Sequence, residues 1–403
     1  MKNYYNKKIL LVGQLKTART ETIEDFLKMR IKLFSVIGLM SPYAINNESR
    51  CCTYINGKKV SELYLPQFLI KDTSKFGNKL LPISFFYYVI SIVKSLIFER
   101  KKYDLFIGCA TFSTAIGILL RKLGLVKKVI YYCLDYYPPS NKRNFDYFIN
   151  YFYQWVDSYC INNSDVVWDI SPRIKDARRV LSNFNVRDYR PIIVPMGWGA
   201  KVNRNVPIGE RDRWAIGFIG TLSPNQGLQM VINAFPKLIL KYPKLNLHII
   251  GHGPYYSTLM SLVLKFNLEK SIFMHGYISE DEKAFDILQN CMIGIAPWTG
   301  DDTDNSYYAD PGKPKLYALL GLPILLTNYT MVSTTITNLN AGVAISYSED
   351  EFINAVDLML GEVSRHERFM LGLDNFKKVC DADTIFEDAF EKTFLILENA
   401  YYA

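Results

Sequence analysis

At 403 residues the chain is too long for one hydrophobic core, since cores stop growing near about 250–300 residues, and two domains of roughly 200 residues are expected. Hydrophobic residues at 49% and charged residues at 21% exclude a disordered or fibrous chain, and 28 Tyr and 24 Phe supply bulk for two cores. The net charge of +8 is unevenly spread: residues 1–200 hold 30 Lys and Arg against 15 Asp and Glu, and residues 201–403 hold 17 against 24. A basic half suits an anionic neighbour (a membrane leaflet, a nucleic acid or a phosphorylated acceptor), and compositional drift over an exposed surface would leave the same imbalance.

The first eight residues are polar and basic and the apolar run 9–12 is short, so no secretory leader is read. Residues 8–13 (KILLVG) form a buried strand ending in Gly, as first strands of open parallel sheets do. The most apolar stretch, 80–98, contains Pro82 and Lys94, so its uninterrupted run falls short of the ~20 residues of a spanning helix. Lys71, Lys75 and Lys79 precede it and Arg100, Lys101 and Lys102 follow; it reads as an internal packing helix or as a segment resting on an anionic membrane surface. Further strands fall at 103–109, 129–134, 165–171 and 191–196, with helices running to Leu123 (closed by Gly124) and over 145–161 and 172–181. A Gly-rich join at 197–211 is the expected hinge.

Beyond it the alternation is cleaner: strands 214–220, 245–251, 272–276, 292–297 and 323–327, and helices 227–242, 255–266, 280–290 and 313–320. Such alternation implies parallel strands with right-handed crossovers, hence an α/β fold of two doubly wound Rossmann-like domains. The expected division is 1–200, 201–385, and a C-terminal helix in 386–403 that crosses back to the first domain. Ligands of doubly wound sheets sit at the carboxyl ends of the strands. With two domains facing across a cleft, that points to the loops after Gly220, Gly251, Gly276, Pro297 and Leu134.

Seven Cys without a Cys-x-x-Cys pair, and only four His, argue against a disulfide framework and a zinc site, so no metal is expected and a reducing, cytoplasmic setting fits. The loop 220–227 (GTLSPNQG) leaves a strand and opens a helix, where backbone N–H groups meet an anion or simply make a tight turn; it is neither a GxGxxG nor a P-loop. Gly251 and Gly253, in Gly-His-Gly-Pro254, allow a second sharp turn. His275-Gly-Tyr-Ile places the backbone of Gly276 and Tyr277 where it can read a base edge, with His275 itself a satisfied polar residue. Residues 310–327 put Lys313 at the start of a short helix, where its ammonium and the helix N-terminus act together on a diphosphate or the side chain simply faces solvent, as a lysine at a helix start usually does.

Taken in order, Gly-x-Leu-(x)3-Gln-Gly, Ile-Ile-Gly-x-Gly-Pro, His-Gly-Tyr-Ile and Asp-Pro-Gly-Lys…Gly-Leu-Pro-Ile resemble the carboxyl-terminal half of GT-B nucleotide-sugar glycosyltransferases, most nearly family 4 (group 1). The likeness spans about residues 190–345. It implies a donor site drawn from Gly220, Asn225, Gln226, Gly227, Gly251, Gly253, Gly276, Tyr277, Asp310, Lys313 and Tyr317, with a nucleotide diphosphate sugar as substrate and no separate cofactor. The family's usual basic pair would fall at Thr221 and Gln226, and its paired glutamates at Tyr308 and Leu316, so all four are replaced here. Inversion is therefore expected over retention, with Lys313 stabilising the diphosphate and Asp135, just past strand 129–134, as base on a saccharide acceptor, lipid-linked and bound by the first domain. Asp135 equally suits a cap on the turn before Pro138-Pro139. Asp310 fixes the Lys313 loop or contacts donor hydroxyls, and Arg143 with the pair Arg178–Arg179 meets a lipid phosphate or forms a solvated face.

The expected role is sugar transfer in surface polysaccharide synthesis, in the cytoplasm or peripherally on the inner membrane face. A nucleotide-sugar epimerase and a catalytically silent subunit that binds a partner transferase are the alternatives. Nucleic-acid binding lacks any aromatic-basic motif.

Overall fold

A computed structural model of the chain describes residues 4–14, 18–39, 49–64, 89–90, 92–93, 96, 101–139, 145–198, 206–361 and 363–399. Most of the apolar stretch 80–98, its flanking Lys71, Lys75, Lys79 and Arg100, Arg143, and residues 199–205 of the join lie outside the described residues. The chain divides into two units, Met1–Gly199 with Ala382–Ala403, and Ala200–Asp381. The return to the first unit thus starts at Ala382, four residues before the expected position 386.

The first unit holds β1 (Lys8–Gln14), α1 (Ala18–Arg30), β2 (Leu33–Leu39), β3 (Arg50–Ile55), β4 (Lys58–Tyr64), β5 (Tyr103–Cys109), α2 (Thr111–Lys122), β6 (Val126–Cys133), α3 (Phe145–Asn163), β7 (Val166–Asp169), α4 (Arg173–Leu181) and β8 (Ile192–Ile193). Its eight-stranded sheet has the order β4-β3-β2-β1-β5-β6-β7-β8. Ile9, Leu10, Leu11 and Val12 of β1 are all buried, the pattern of a strand covered on both faces.

One correction applies to the all-parallel expectation. β3 pairs antiparallel with β2 and with β4. The β3–β4 pairing follows from the Asn56-Gly57 dipeptide, whose φ angles of 49° and 76° are both positive, as a type I′ hairpin turn demands. β8 is also shorter than the expected 191–196, pairing with β7 only at Ile192 and Ile193.

The second unit holds β9 (Ala215–Ile219), α5 (Leu228–Lys241), β10 (Asn246–Ile250), α6 (Tyr256–Lys265), β11 (Ile272–Gly276), α7 (Asp281–Leu288), β12 (Ile293–Ala296), α8 (Gly312–Leu319), β13 (Ile324–Thr327), α9 (Val332–Asn338), β14 (Gly342–Ile345), α10 (Glu349–Gly361) and α11 (Val363–Val379). All its strands pair in parallel in the order β11-β10-β9-β12-β13-β14, the doubly wound arrangement whose order reverses between β9 and β12. The end of the expected hinge is anchored here: the Arg211 guanidinium is buried and donates to the carbonyls of Val206 (2.9 Å) and Gly321 (2.6 Å).

The final helix, α12 (Ala382–Asn399), belongs to the first unit. Its Phe390 lies 5.4 Å from the Phe26 ring and 5.3 Å from Trp168, and Trp168 Nε1 donates to Thr393 Oγ1 at 2.9 Å.

Candidate active site

The site of the second unit starts from a gap between strands. β9 and β12 pair at Ile216–Ile293 and Gly217–Gly294 and then part. Tyr317 of α8 fills the opening: its hydroxyl accepts from Ile219 N (3.3 Å) and donates to the Ile295 carbonyl (2.9 Å). The ring needs Gly at 294, since a Cβ there would stand 2.4 Å from it. Tyr317 was expected to bind the donor; it is 0% exposed and is instead a bridge that fixes α8 with its first turn at the strand ends.

From that first turn Lys313 reaches back over the end of β9. Its Nζ lies 4.7 Å from the Phe218 ring centre and 5.2 Å from that of Trp298, and it donates to Gln226 Oε1. Trp298 Nε1 donates to the same oxygen at 3.2 Å, so two donors orient the Gln226 amide. Among the described residues no carboxylate pairs with Lys313, and burial alone pushes its amine down to about 7. Pro311 caps α8 without a side-chain hydrogen bond, so the helix offers backbone N–H groups beside that amine. A desolvated cation without an anion, next to a helix N-terminus at a switch point, is an arrangement for taking up a negatively charged group.

Three loops close around it by backbone packing. Gly251 (φ 143°) lies so near the first loop that a Cβ would stand 1.9 Å from the Gly220 carbonyl oxygen, and at Gly227 (φ 75°) a Cβ would stand 1.6 Å from that of Pro297. Gly253 packs on the Leu222 backbone in the same way, and Gly251 N donates to the Gly276 carbonyl at 2.8 Å. Tyr277, beyond β11, is 77% exposed. The structure therefore gathers Gly220, Gln226, Gly227, Gly251, Gly253, Gly276 and Lys313 at the carboxyl ends of neighbouring strands.

Other expected donor residues are committed elsewhere. The Asn225 amide accepts from Ser223 Oγ (2.6 Å) and donates to Asp304 Oδ2 (3.2 Å), tying the first loop to the one after β12. Asp310 is held by Lys315 Nζ in a mostly buried ion pair, which fixes the loop before α8. Tyr308 and Leu316, where the family's glutamates would fall, are both buried. Phe218 and Trp298, the rings flanking Lys313, were missed by sequence reading, although both sit at or just past a strand's carboxyl end.

In the first unit, Asp135 follows β6. α3 carries its loop: the Tyr153 hydroxyl donates to the Asp135 carbonyl (2.8 Å), Asn150 Nδ2 to that of Pro138 (2.9 Å), and Gln154 Nε2 to that of Tyr137. Arg178 faces neither solvent nor lipid, which corrects both the lipid-phosphate and the solvated-face readings of it. Its guanidinium is buried, bidentate to Asp157 (2.8 Å twice), with Nη1 to Asp169 Oδ1 (2.8 Å) and to the Tyr189 hydroxyl (2.6 Å). Tyr131, Tyr136 and Tyr189 stack around it. Its neighbour Arg179 is exposed and lies 3.6 Å from Asp176. His275, as read, is hydrogen-bonded, with its Nε2 2.9 Å from His248 Nδ1.

Residues 213–362 match the family model described as Glycosyl transferases group 1. A curated relative, the uncharacterized glycosyltransferase MJ1059 of Methanocaldococcus jannaschii, is 30% identical over 84 residues, which cover 20% of each chain. Among solved structures, Anabaena HepE in complex with UDP and glucose is similar with a TM-score of 0.66 at 13% identity, over 96% of this chain and 99% of that one. Sucrose-phosphate synthase from Thermosynechococcus elongatus is similar with a TM-score of 0.69 at 13% identity, over 97% and 100%. At such identities the likeness establishes the fold, the two Rossmann-like domains of the GT-B plan.

Proposed function

We propose, from the premise that residues 213–362 are a Glycosyl transferases group 1 domain, that the chain transfers a sugar from a nucleotide diphosphate sugar to a saccharide acceptor. The observation that carries this reading is the Lys313 ammonium, which lies against Gly220, Phe218 and Trp298 without a carboxylate among the described residues. Its charge and the α8 N-terminus neutralise the diphosphate as it departs. UDP-glucose is the first donor to test and UDP the first ligand, since both occupy the similarly folded HepE. Loss of transfer in Lys313→Ala is the decisive measurement; a silent subunit, which the missing basic pair at Thr221 and Gln226 favours, would release no UDP from any labelled UDP-sugar.

Inversion is supported by Tyr308 and Leu316, buried side chains without a carboxylate where the retaining acids would fall. In the inverting step the acceptor oxygen attacks the anomeric carbon, the bond from that carbon to the diphosphate oxygen breaks, and the acceptor proton passes to Asp135. Asp135→Asn is expected to lower transfer about 10²–10⁴-fold, the usual contribution of a general base. Donor affinity in that variant, read by calorimetry, stays at the parent value; an equal loss of donor affinity would remove the base role. A lipid-linked acceptor in surface polysaccharide synthesis, met at the inner membrane face from the cytoplasm, is supported by the 30 basic against 15 acidic residues of positions 1–200.

Donor binding is also coupled to protons. Lys313 is pushed down to about 7 by burial, and a bound diphosphate favours its charged form, so binding takes up a proton above that pH. UDP affinity is expected to fall up to about tenfold per pH unit above 7. Calorimetry in two buffers of different ionisation enthalpy checks this, and an enthalpy independent of buffer would contradict it. The unliganded protein behaves oppositely. The unfolded state holds this proton up to the ordinary lysine range while the folded state does not, so the contribution of Lys313 to stability rises with pH between those limits.

A further inference from the structure

We infer that the outward face of α3 is a docking surface for an anionic bilayer, holding the helix that carries the Asp135 loop next to the membrane, an inference that rests on the lipid-linked acceptor proposed above. Phe148, Tyr151 and Trp155 fall at i, i+3 and i+7, one helical face, and are 68%, 44% and 52% exposed. Tyr159 continues the face at i+11 with its ring 6.5 Å from that of Trp155, Phe152 flanks Trp155 at 5.8 Å, and Tyr151 packs on Phe184 at 4.8 Å. Eleven residues of helix make this strip about 16 Å long.

The opposite face is fully used. Tyr153, Val156, Asp157 and Cys160 are buried, and the Asp135 loop hangs from Asn150, Tyr153 and Gln154. One helix therefore links the acceptor loop to the exposed rings.

The composition of the strip selects its occupant. Phe, Tyr and Trp together suit the boundary between lipid headgroups and acyl chains, where an apolar body is buried and a polar tip stays wet. Lys122 stands 5.5 Å over the Tyr159 ring, and Arg187 donates to the Ser164 carbonyl (2.7 Å) just past the helix end. Neither is ion-paired among the described residues, while Asp188 beside Arg187 is taken by Lys175 at 3.1 Å. Cations rimming an apolar strip fit an anionic leaflet; a second copy pairing through the same face would bring these cations back against one another. Among the described residues no helix is long and apolar enough to cross a membrane; in the proposed arrangement α3 lies in the surface plane, with its exposed rings at the headgroup level.

The test is flotation of the full chain with vesicles of phosphatidylglycerol and phosphatidylcholine, for the parent and for Phe148→Ser/Trp155→Ser. Both side chains are exposed, so the fold is retained, which a thermal scan verifies. Vesicle affinity is expected to drop about tenfold or more, and to weaken with salt. Brominated lipid is expected to quench fluorescence in the parent, with that quenching reduced in Trp155→Phe. Unchanged vesicle affinity, quenching that survives Trp155→Phe, or a parent that dimerises through these residues without binding vesicles overturns the inference. UDP calorimetry on the same samples separates the two readings: vesicle binding without UDP binding leaves the docking surface standing and removes the donor site.

Discussion

Lys313→Ala is expected to lower sugar transfer by roughly 10²–10³-fold, the cost of removing one preorganised charge from a departing oxyanion. The melting temperature is expected to stay at or above that of the parent, because the amine contributes a desolvated charge and no ion pair among the described residues. Gln226 Oε1 keeps its bond from Trp298 Nε1 after the change, so no buried acceptor is orphaned. Arginine should rescue poorly, since Gly220 already stands so near that a Cβ on it would meet Lys313 Cε at 2.5 Å and a wider guanidinium has no place to lie. Single-turnover kinetics beside a thermal scan decide the matter: transfer at the parent rate ends the proposal, and a large fall in melting temperature would make the lysine a structural residue.

The largest loss of stability is expected at Arg178→Met, about 3–5 kcal/mol, because one partner is removed from a buried ionic network. Asp157 and Asp169 would remain inside with no guanidinium between them, and Tyr189 would lose a 2.6 Å partner. Burial already holds the Asp169 carboxyl above its ordinary value, and loss of the cation pushes it further up. An acid raised in the folded state binds its proton more tightly there than in the unfolded chain, so the variant recovers stability as pH falls toward the ordinary carboxylate range. Urea unfolding near pH 7 and near pH 5 should show the gap to the parent narrowing in acid. Removing a carboxylate as well, in Arg178→Met/Asp157→Asn, should restore part of the loss.

Much of the second unit was legible in the sequence because its strands are short apolar runs closed by glycines, as in 245–251 and 272–276. Those glycines reflect packing of one backbone on another, visible at Gly251 and Gly253, so their spacing carries the loop geometry with it. The site residues divided on a different basis. Lys313 could be found because Asp-Pro-Gly-Lys resembles a family segment in which a lysine holds the diphosphate; a lysine at a helix start by itself reads as solvent-facing. Tyr317, Asn225 and Asp310 could not be assigned that way, since a side chain near a ligand loop can face it or brace it from behind, and periodicity does not separate the two. Arg178 shows the same limit: a basic residue in a helix that also holds Lys175 and Arg179 reads as solvated, and only the fold brings Asp157 and Asp169 to it. The β3–β4 hairpin had its signal in Asn56-Gly57, hidden by the expectation that strands alternate with helices throughout.

The contacts of α12 also set an order of events during synthesis. Phe26 and Trp168 must wait for Phe390 and Thr393, and Gly197 for Ala382, all contributed by a segment synthesised after the whole of the second unit. The first unit, begun before the second, is thus completed after it, and a chain cut before Ala382 would leave Phe26, Trp168 and Gly197 uncovered while residues 200–381 keep their own core.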